Sequence, residues 1–313
     1  MDGRTWGAIA LIVVTAAGTT LQARLNGELL GDLRNAPEVS LLNLGFGLIT
    51  LLVVLAFTPR MRVGVRRTLS ALRTGDLRWW QMTGGLAGAF FVGTQAVTVP
   101  VIGVAVFTVA VVAGQSANSV TVDMWGLGPA GRQAVTPTRI VAAGLAVIAV
   151  VVAVSGRWSL AGDSTSSVVA MTALALFAGV VGVLQGAFNG QVARAAGFAL
   201  NGALVNFLFG TMALGLVMGV LWGFTDIDPV LPSLEHWWLL LSGVLGMAYV
   251  ATMAGTVQRL GILRSGLASV AGLLAGALLL DLIAPTPGGG LTIGIVVGVV
   301  LAFVAVTISL VRR

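Results

Sequence analysis

The sequence predicts an all-α polytopic membrane protein in which ten transmembrane helices form two inverted five-helix repeats. Three observations predict this class. The composition is strongly apolar, since 57% of the 313 residues are hydrophobic and only 9% are charged. Apolar runs of membrane-spanning length follow one another along the chain, and one polar signature occurs twice. A protein this apolar turns much of its surface to lipid rather than to water.

Ten apolar runs are each roughly 20 residues long, which is the length that an α-helix needs to cross the hydrocarbon core of a bilayer. They lie near residues 6–30, 37–58, 79–99, 101–122, 137–155, 165–190, 199–223, 237–257, 261–284 and 291–310. The first run could pass for a signal peptide. An equivalent segment around Gln185 lies in mid-chain and cannot be cleaved off, so we expect the first helix to stay in the mature protein.

The repeated signature is a pair of amides four residues apart, followed by a third amide. In the first half it reads Gln22-x-x-x-Asn26 and then Asn43-x-x-x-Gly47. The pattern recurs 163 residues later (185 − 22) as Gln185-x-x-x-Asn189 and then Asn206-x-x-x-Gly210. Further matches lie 158 residues apart (281 − 123): Trp79-Trp80 with Trp237-Trp238, Gly88 with Gly246, Gly114 with Gly272, and Asp123 with Asp281. A repeat of this length predicts two domains, residues 1–158 and 159–313.

The positively charged side chains are all arginines, and their distribution predicts the orientation. In a ten-span topology, one side of the membrane holds both termini and every second loop. Fourteen arginines fall on that side, namely Arg4, Arg60, Arg62, Arg66, Arg67, Arg73, Arg78, Arg132, Arg139, Arg194, Arg259, Arg264, Arg312 and Arg313. Only three fall on the other, namely Arg24, Arg34 and Arg157. Because arginine-rich loops stay in the cytoplasm, both termini are predicted to be cytoplasmic.

An odd number of spans in each repeat requires the two halves to enter the membrane from opposite sides. The loop charges agree with this. The loop at Arg60–Arg78 is basic, whereas its counterpart at Thr225–His236 carries Asp226, Asp228 and Glu235 and no arginine. An inverted repeat of this kind, with a pseudo-twofold axis in the membrane plane, is typical of alternating-access carriers.

These motifs resemble those of the drug/metabolite transporter superfamily, and most closely those of the YdcZ-type inner-membrane exporters. Besides the amide pairs, the resemblance rests on Gly114-Gln115 leading to Asp123-x-x-Gly126, and on Gly272 leading to Asp281. Five-helix proteins of that family also occur as separate subunits, so the resemblance implies a fused antiparallel pair that exports a small solute. The second half has Leu273 in place of Gln115 and Gly276 in place of Asn118, so only one half can supply those amides.

Polar residues within these spans are the candidates for contacting a substrate or a coupling ion. They are Gln22, Asn26, Glu28, Asn43, Gln115, Asn118, Asp123, Gln185, Asn189, Asn206 and Asp281. A helix rises about 1.5 Å per residue, which places Asp281 level with the amide pair of the first half and Asp123 level with that of the second. We therefore expect two related polar vestibules, each with amides from one repeat and an aspartate from the other.

Each candidate also has a purely structural interpretation. Amides within a bilayer often hold helices together, at roughly 0.5–2 kcal/mol each. Arg24 and Glu28 lie four residues apart and can pair on one helix face. Asp123 and Asp281 could be ordinary interfacial residues, although an acid within the membrane is a functional candidate that could carry a coupling proton. The glycine pairs at 84/88, 272/276 and 294/298 favour close helix packing.

Several classes of function find no support in the sequence. Without cysteine, and with His236 as the single histidine, a metal site lacks its usual ligands. We find no phosphate-binding loop and no catalytic triad, so we predict neither an enzyme nor a bound cofactor. The arginine cluster at residues 60–78 indicates a topology signal near anionic lipid rather than a nucleic-acid site. The expected partners are membrane lipids and a small-molecule substrate whose identity the sequence does not give.

Three functions remain open at this point. The first is an exporter of a small organic solute, with or without proton coupling, and the inverted repeat favours it. The second is a passive channel, which would need a continuous polar lining, whereas a long apolar stretch separates the two vestibules. The third is a non-transporting accessory protein. We expect a monomer that acts as a fused antiparallel pair, with a dimer as the alternative.

Overall fold

The computed structural model describes residues 3–127, 132, 136–161, 165–225, 230–285 and 291–310. These residues form nine α-helices: α1 Gly3–Leu33, α2 Ala36–Phe57, α3 Pro59–Thr74, α4 Gly84–Trp125, α5 Pro137–Ala161, α6 Thr165–Ala196, α7 Leu200–Phe224, α8 Leu241–Ile283 and α9 Ile293–Leu310. Two short 3-10 helices, Trp79–Met82 and Leu234–Leu240, precede α4 and α8. No strand occurs within the described ranges, so the all-α class is confirmed for them.

Six helical stretches in the described part are long and apolar enough to cross a membrane. They are Thr5–Leu33, Ala36–Phe57, Trp79–Val122, Thr165–Ala196, Leu200–Phe224 and Leu234–Met253, and shorter apolar helices occur at Ile140–Ser155, Ala268–Ile283 and Ile293–Ala305. The protein is therefore a multi-pass helical membrane protein. Two of its helices, α4 with 42 residues and α8 with 43, are too long for a single crossing, and both double back.

Helix α4 reverses its direction at Gly103. This residue has φ 76° and ψ 164°, a backbone conformation that favours glycine. The half before Gly103 runs antiparallel to α6, because Gly84 faces Asn189 whereas Phe90, further along, packs edge-on against Phe177.

The half of α4 after Gly103 runs parallel to α6. Gly179 of α6 lies against the backbone of Val111, and further along both helices the side chain of Gln191 donates a hydrogen bond to the carbonyl oxygen of Leu127 at 3.2 Å. The two predicted runs at 79–99 and 101–122 are thus the two arms of one hairpin.

Helix α8 doubles back between Tyr249 and Ser269. Their hydroxyl groups lie 2.8 Å apart, whereas 20 residues of straight helix would separate them by about 30 Å. The contacts with α1 agree, since Gly246 lies against Gln22 and Gly276 lies against Thr20. Both arms of α8 therefore pack along α1.

A two-residue turn joins α1 to α2. Arg34 takes a left-handed conformation with φ 58°, which ends α1. Asn35 then caps α2, because its side-chain oxygen accepts a hydrogen bond from the backbone N–H of Glu38 at 3.4 Å. Glu38 itself lies in the first turn of α2, where a carboxylate interacts favourably with the helix dipole.

The basic segment at residues 60–78, predicted as a loop, contains the amphipathic helix α3 instead. Its buried positions are Met61, Gly64 and Thr68, which share one face at helical spacing. The arginines of this segment occupy the rest of the helix surface, and Gly75 ends the helix in a left-handed conformation with φ 82°. The side chain of Asn201, near the start of α7, donates a hydrogen bond to the carbonyl oxygen of Met61 at 3.0 Å and so docks α3 onto the bundle.

The three most extensive helix pairs are α1 with α8, α4 with α6, and α5 with α9, and α2 also packs against α7. The largest buried cluster of apolar side chains is centred on the second half of α4, from Val104 to Ala113, and includes side chains of α5 and α9.

A candidate substrate cavity with two amide clusters

A cavity of about 780 Å³ lies between the helices. Its walls come from α1, α2, α4, α6, α7 and α8, and hence from both halves of the sequence. A volume of this size accommodates a drug-sized molecule. Apolar side chains such as Phe91, Phe107, Val111 and Met253 make up much of the wall, and the polar members are mainly amides and hydroxyls.

The first amide cluster consists of Asn26, Asn43, Gln95 and Ser242, all buried. Asn26 donates a hydrogen bond to the side-chain oxygen of Gln95 at 2.9 Å. Asn43 donates to the side-chain oxygen of Asn26 at 3.0 Å and to the hydroxyl of Ser242 at 2.9 Å. The cluster thus joins α1, α2, α4 and α8 through bonds among its own members, as buried polar groups require.

The second amide cluster consists of Gln185, Asn189 and Asn206 on α6 and α7. Gln185 donates a hydrogen bond to the side-chain oxygen of Asn206 at 3.1 Å. All three residues line the cavity. Asn189 and Gln185 are only partly buried, and the structure gives the Asn189 amide no hydrogen bond to any other described residue.

The repeat explains why the two clusters differ. At the 158-residue offset, Gln95 corresponds to Met253 and Ser242 corresponds to Gly84. The second cluster therefore lacks the two partners that satisfy the asparagines of the first. In their place Gly84 leaves room for Asn189, since a Cβ added at Gly84 would come within 2.9 Å of the Asn189 side-chain oxygen.

Glycines also allow the glutamine side chains to lie close to the helices that face them, because a glycine has no Cβ. A Cβ at Gly246 would lie 2.8 Å from the side-chain oxygen of Gln22, and a Cβ at Gly88 would lie 2.7 Å from the side-chain nitrogen of Gln185. Gln22 is buried at the wall of the cavity. The glycine spacings that predicted helix packing thus also accommodate the amides.

The amides of the second half of α4 separate into two roles. Gln115 lines the cavity. Asn118 is not part of the cavity wall; its side chain donates a hydrogen bond to the carbonyl oxygen of Val180 at 2.7 Å and so ties α4 to α6. Of the two, only Gln115 lies where a solute could reach it.

Two of the acidic candidates, Glu28 and Asp281, lie away from the cavity wall. Asp281 is buried and accepts hydrogen bonds from the backbone N–H groups of Val104 at 3.3 Å and Ala105 at 3.0 Å. Glu28 pairs with Arg24 at 2.6 Å, as the spacing of the two residues suggested. The side chain of Asp123 lies outside the described residues. Among the residues that are described, no group of three His, Cys, Asp or Glu side chains could hold a metal ion.

Two polar contacts join the halves at the end of the bundle where α1 ends and α2 begins, here called the Asp32 end. The Nδ1 atom of His236 lies 2.7 Å from a carboxylate oxygen of Asp32. A carboxylate oxygen of Glu38 accepts a hydrogen bond from the backbone N–H of Val230 at 3.0 Å. Both contacts fasten the turn between α1 and α2 to the segment between α7 and α8.

The cavity is closed toward the Asp32 end and exposed at the opposite one, where α6 ends, here called the Arg194 end. Toward the Asp32 end its wall consists of buried residues such as Thr20, Gln22 and Asn43. At the Arg194 end the wall includes the exposed residues Arg194 and Gly197. Among the described wall residues, those at the Arg194 end are therefore the more exposed.

A comparison with known families agrees with this architecture. The model of one protein family, described as "Putative inner membrane exporter, YdcZ", matches residues 7–152 and 170–308. The two matched stretches cover most of the chain. The chain belongs to this family. No curated protein matches the chain.

Family membership and the apolar helices together identify an inner-membrane, multi-pass protein of a transporter class, which is not a class of enzymes. The resemblance inferred from the sequence motifs is confirmed by the family match. Three residues of the site were not among the candidates predicted from the sequence, namely Gln95, Ser242 and Tyr249. In the repeat alignment Gln95 corresponds to Met253, and Ser242 corresponds to Gly84. Because neither residue is repeated, the repeat gave no signal for them.

Proposed function

We propose that this protein is an alternating-access transporter that exports a small organic solute through the cavity. The observation that carries the proposal is that one cavity, walled by both halves of the chain, is exposed at one end and closed at the other. A carrier needs such a site between two parts that can rock against each other. A passive channel would need a continuous polar path, and an accessory protein would need no cavity.

We further propose that residues 1–158 and 159–313 form two inverted repeats with ten transmembrane segments in total. The contacts of equivalent glycines support this. A Cβ at Gly85 would overlap the carbonyl oxygen of Asn206, and a Cβ at its counterpart Gly243 would overlap that of Asn43. Asn206 and Asn43 are themselves equivalent in the repeat. Each half therefore makes the same glycine-to-carbonyl contact with the other half, as a twofold relationship requires.

A second set of contacts supports the same relationship on other helices. Gly114 packs on the backbone of Leu176, and Gly272 packs on that of Val13, which lies 163 residues before Leu176. The helix pairs α1–α8 and α4–α6 are equivalent under the same rule. The hairpins in α4 and α8 supply the two extra crossings that bring each repeat to five.

The proposed orientation places the Arg194 end and both termini in the cytoplasm, so the cavity is open to the inside. The support is the excess of arginines at that end, including those of α3. Reporter fusions test it: tags on both termini should be cytoplasmic and a reporter at Asp226 should be extracytoplasmic. A cytoplasmic reporter at Asp226 would rule out the inverted arrangement. A single chain supplies both halves of the cavity, so we propose that the monomer is the transporting unit, with a dimer as the alternative.

Flux measurements in proteoliposomes test the transport proposal against its alternatives. A carrier gives saturable uptake that is accelerated by unlabelled solute on the opposite side. A channel gives fast flux without saturation, and an accessory protein gives no flux above empty liposomes. Candidate solutes come from a thermal-shift screen of metabolites and drugs, because a ligand that binds the folded protein raises its melting temperature.

Proton coupling would add a titratable group to this scheme, and Asp123 is our candidate. It is an acid directly after the apolar stretch Trp79–Val122, on the same helix as the cavity residue Gln115. Asp123→Asn should then abolish transport driven by a pH gradient while leaving exchange partly intact. Normal uphill transport by this variant would exclude Asp123 as the coupling group and leave a facilitative carrier.

A further inference from the structure

We infer that the cavity selects an uncharged solute that presents a hydrogen-bond donor and an acceptor side by side on an apolar body. A carboxamide on an aromatic ring is the simplest example of this class. The inference rests on the proposed transport function only in assuming that the bound solute is then transported. The selectivity of binding follows from the side chains of the cavity wall.

The first step concerns charge. Among the described residues that line the cavity there is no aspartate and no glutamate, and the charged residue of that wall, Arg194, lies at the exposed end. Moving an ion out of water costs several kcal/mol unless an opposite charge compensates it. Among the described wall residues, a cation would therefore meet no carboxylate in the depth of the cavity, and the positive charge that could attract an anion lies at the mouth.

Aromatic rings do not replace the missing carboxylate. Phe91 and Phe107 line the cavity and could face a cation. However, these two rings already pack edge to face, with their centroids 6.0 Å apart. Even when desolvated, a cation–π contact recovers less free energy than burying the charge costs. The aromatic wall thus favours a flat apolar body rather than a positive charge.

The second step concerns hydrogen bonding. Asn189 and Gln115 both line the cavity, and the structure gives neither side chain a hydrogen bond to another described residue. Each carboxamide offers one acceptor oxygen and two donor hydrogens. The best partner for such a group is another group with an adjoining donor and acceptor, because a bidentate pair then satisfies both sides. An amide or a nitrogen heterocycle meets this requirement.

The third step explains why the solute binds at the second cluster rather than the first. The asparagines of the first cluster already bond to Gln95, to Ser242 and to each other. A solute would have to break these bonds in a closed part of the protein. In the second cluster, Met253 and Gly84 stand where Gln95 and Ser242 would be, which leaves the amide of Asn189 for a ligand.

The charge selectivity can be measured with a cysteine probe, because the chain contains no cysteine of its own. Gly186 lines the cavity, and a Cβ added there meets nothing within 4 Å. The Gly186→Cys protein is treated with two methanethiosulfonates of similar size, one with a sulfonate and one with a trimethylammonium group. Each rate is divided by the rate with a free thiol in solution.

We expect the two normalised rates at Gly186→Cys to agree within about threefold. A nearby unpaired carboxylate would shift their ratio by about tenfold or more, even at the dielectric constant of water. Adding Gln115→Glu to Gly186→Cys provides the control, and it should shift the ratio toward the trimethylammonium reagent. A shift of about tenfold in either direction without the added glutamate would overturn the inference.

The hydrogen-bonding class is tested by protection of the same cysteine. Benzamide, benzamidinium and benzoate share one planar shape and differ in charge. Benzamide should slow the modification of Gly186→Cys, whereas equal concentrations of the two ions should protect less. Asn189→Leu should remove the protection by benzamide. The inference fails if benzamidinium or benzoate protects better, if benzamide does not protect at its solubility limit, or if Asn189→Leu leaves the protection unchanged.

These results separate the binding inference from the transport proposal. Protection by benzamide without saturable flux of labelled benzamide in proteoliposomes would support the ligand class and contradict the transport function. Saturable flux of a cationic solute, together with protection by benzamidinium, would support transport and overturn the ligand class.

Discussion

The carboxylate of Asp281 accepts a hydrogen bond from the backbone N–H of Ala105 at 3.0 Å. With the parallel bond from Val104, the end of α8 caps the helix that begins after Gly103. The first N–H groups of a helix have no partner within the helix, and a buried carboxylate supplies both acceptors and a favourable charge at its positive end. Asp281, which belongs to α8, therefore stabilises the turn of the α4 hairpin.

Removing this cap should destabilise the protein. Asp281→Ala leaves two buried N–H groups without an acceptor, which should cost roughly 1–3 kcal/mol. Asp281→Asn keeps one acceptor oxygen and should retain most of the stability, because asparagine also caps helices. The measurement is the thermal midpoint in detergent at one scan rate. Equal midpoints for Asp281→Ala and the natural protein would contradict the capping role.

Close packing at the repeat-related glycines gives a second prediction. Gly243→Ala should strongly lower the thermal midpoint, since its Cβ would overlap the backbone oxygen of Asn43 and the helices α2 and α8 would have to move apart. The same change at Gly85, which faces Asn206, should have a similar effect.

The matched control is Gly219→Ala on α7, where an added Cβ meets nothing within 4 Å. Because alanine is the better helix former, this variant should be as stable as the natural protein or more stable by about 0.5–1 kcal/mol. If Gly243→Ala and Gly219→Ala melted alike, the close approach of α2 and α8 would be wrong.

The two equivalent asparagines should respond differently to one substitution. Asn26→Leu removes two buried hydrogen bonds and leaves Gln95 and Asn43 short of partners, which should lower stability by roughly 1–3 kcal/mol. Asn189→Leu removes no bond to a described residue and should leave the thermal midpoint nearly unchanged while it weakens solute binding. Thermal midpoints and binding isotherms of both variants check this. Equal loss of stability in the two would make Asn189 a packing residue.

Much of this fold could be predicted from the sequence because apolar length and repeated spacing are local signals. The runs at 79–99 and 101–122 correspond to the arms of the α4 hairpin even though no polar loop separates them. Helix α3 was missed because its arginines dominate the segment, although Met61, Gly64 and Thr68 already had helical spacing.

The site was predicted less completely because its chemistry depends on which helices meet. Gln22, Gln185 and Asn189 of the amide signature line the cavity, and their contact with a solute stays a prediction. The signature could not distinguish a satisfied asparagine from an unsatisfied one, since the partners of Asn26 lie on α2 and α4, far away in sequence. Likewise, the bonds of Asp281 depend on how α8 meets the hairpin turn at Gly103, and a contact between segments 176 residues apart has no local signal.

The two contacts at the Asp32 end should hold the cavity closed on that side. Each is modest on its own, because Asp32 and His236 form a partly exposed pair and Glu38 gives one hydrogen bond to Val230. Together they should bias the conformational equilibrium by about 1.4 kcal/mol, which corresponds to about tenfold in population. The double variant Asp32→Ala with Glu38→Leu should therefore open the Asp32 end about ten times more often.

Accessibility of Thr20 measures this opening. Thr20 lines the cavity and is buried in the closed conformation, and cysteine is close to threonine in size. In the Thr20→Cys background, the double variant should react about tenfold faster with a membrane-impermeant thiol reagent added from the Asp32 side. Glu28→Gln is the matched control, because it breaks an ion pair at the same end of the bundle. Both partners of that pair, Arg24 and Glu28, belong to α1, so the pair does not join two helices. An equal acceleration by Glu28→Gln would assign the effect to charge alone, and an unchanged rate in the double variant would show that other contacts close this end.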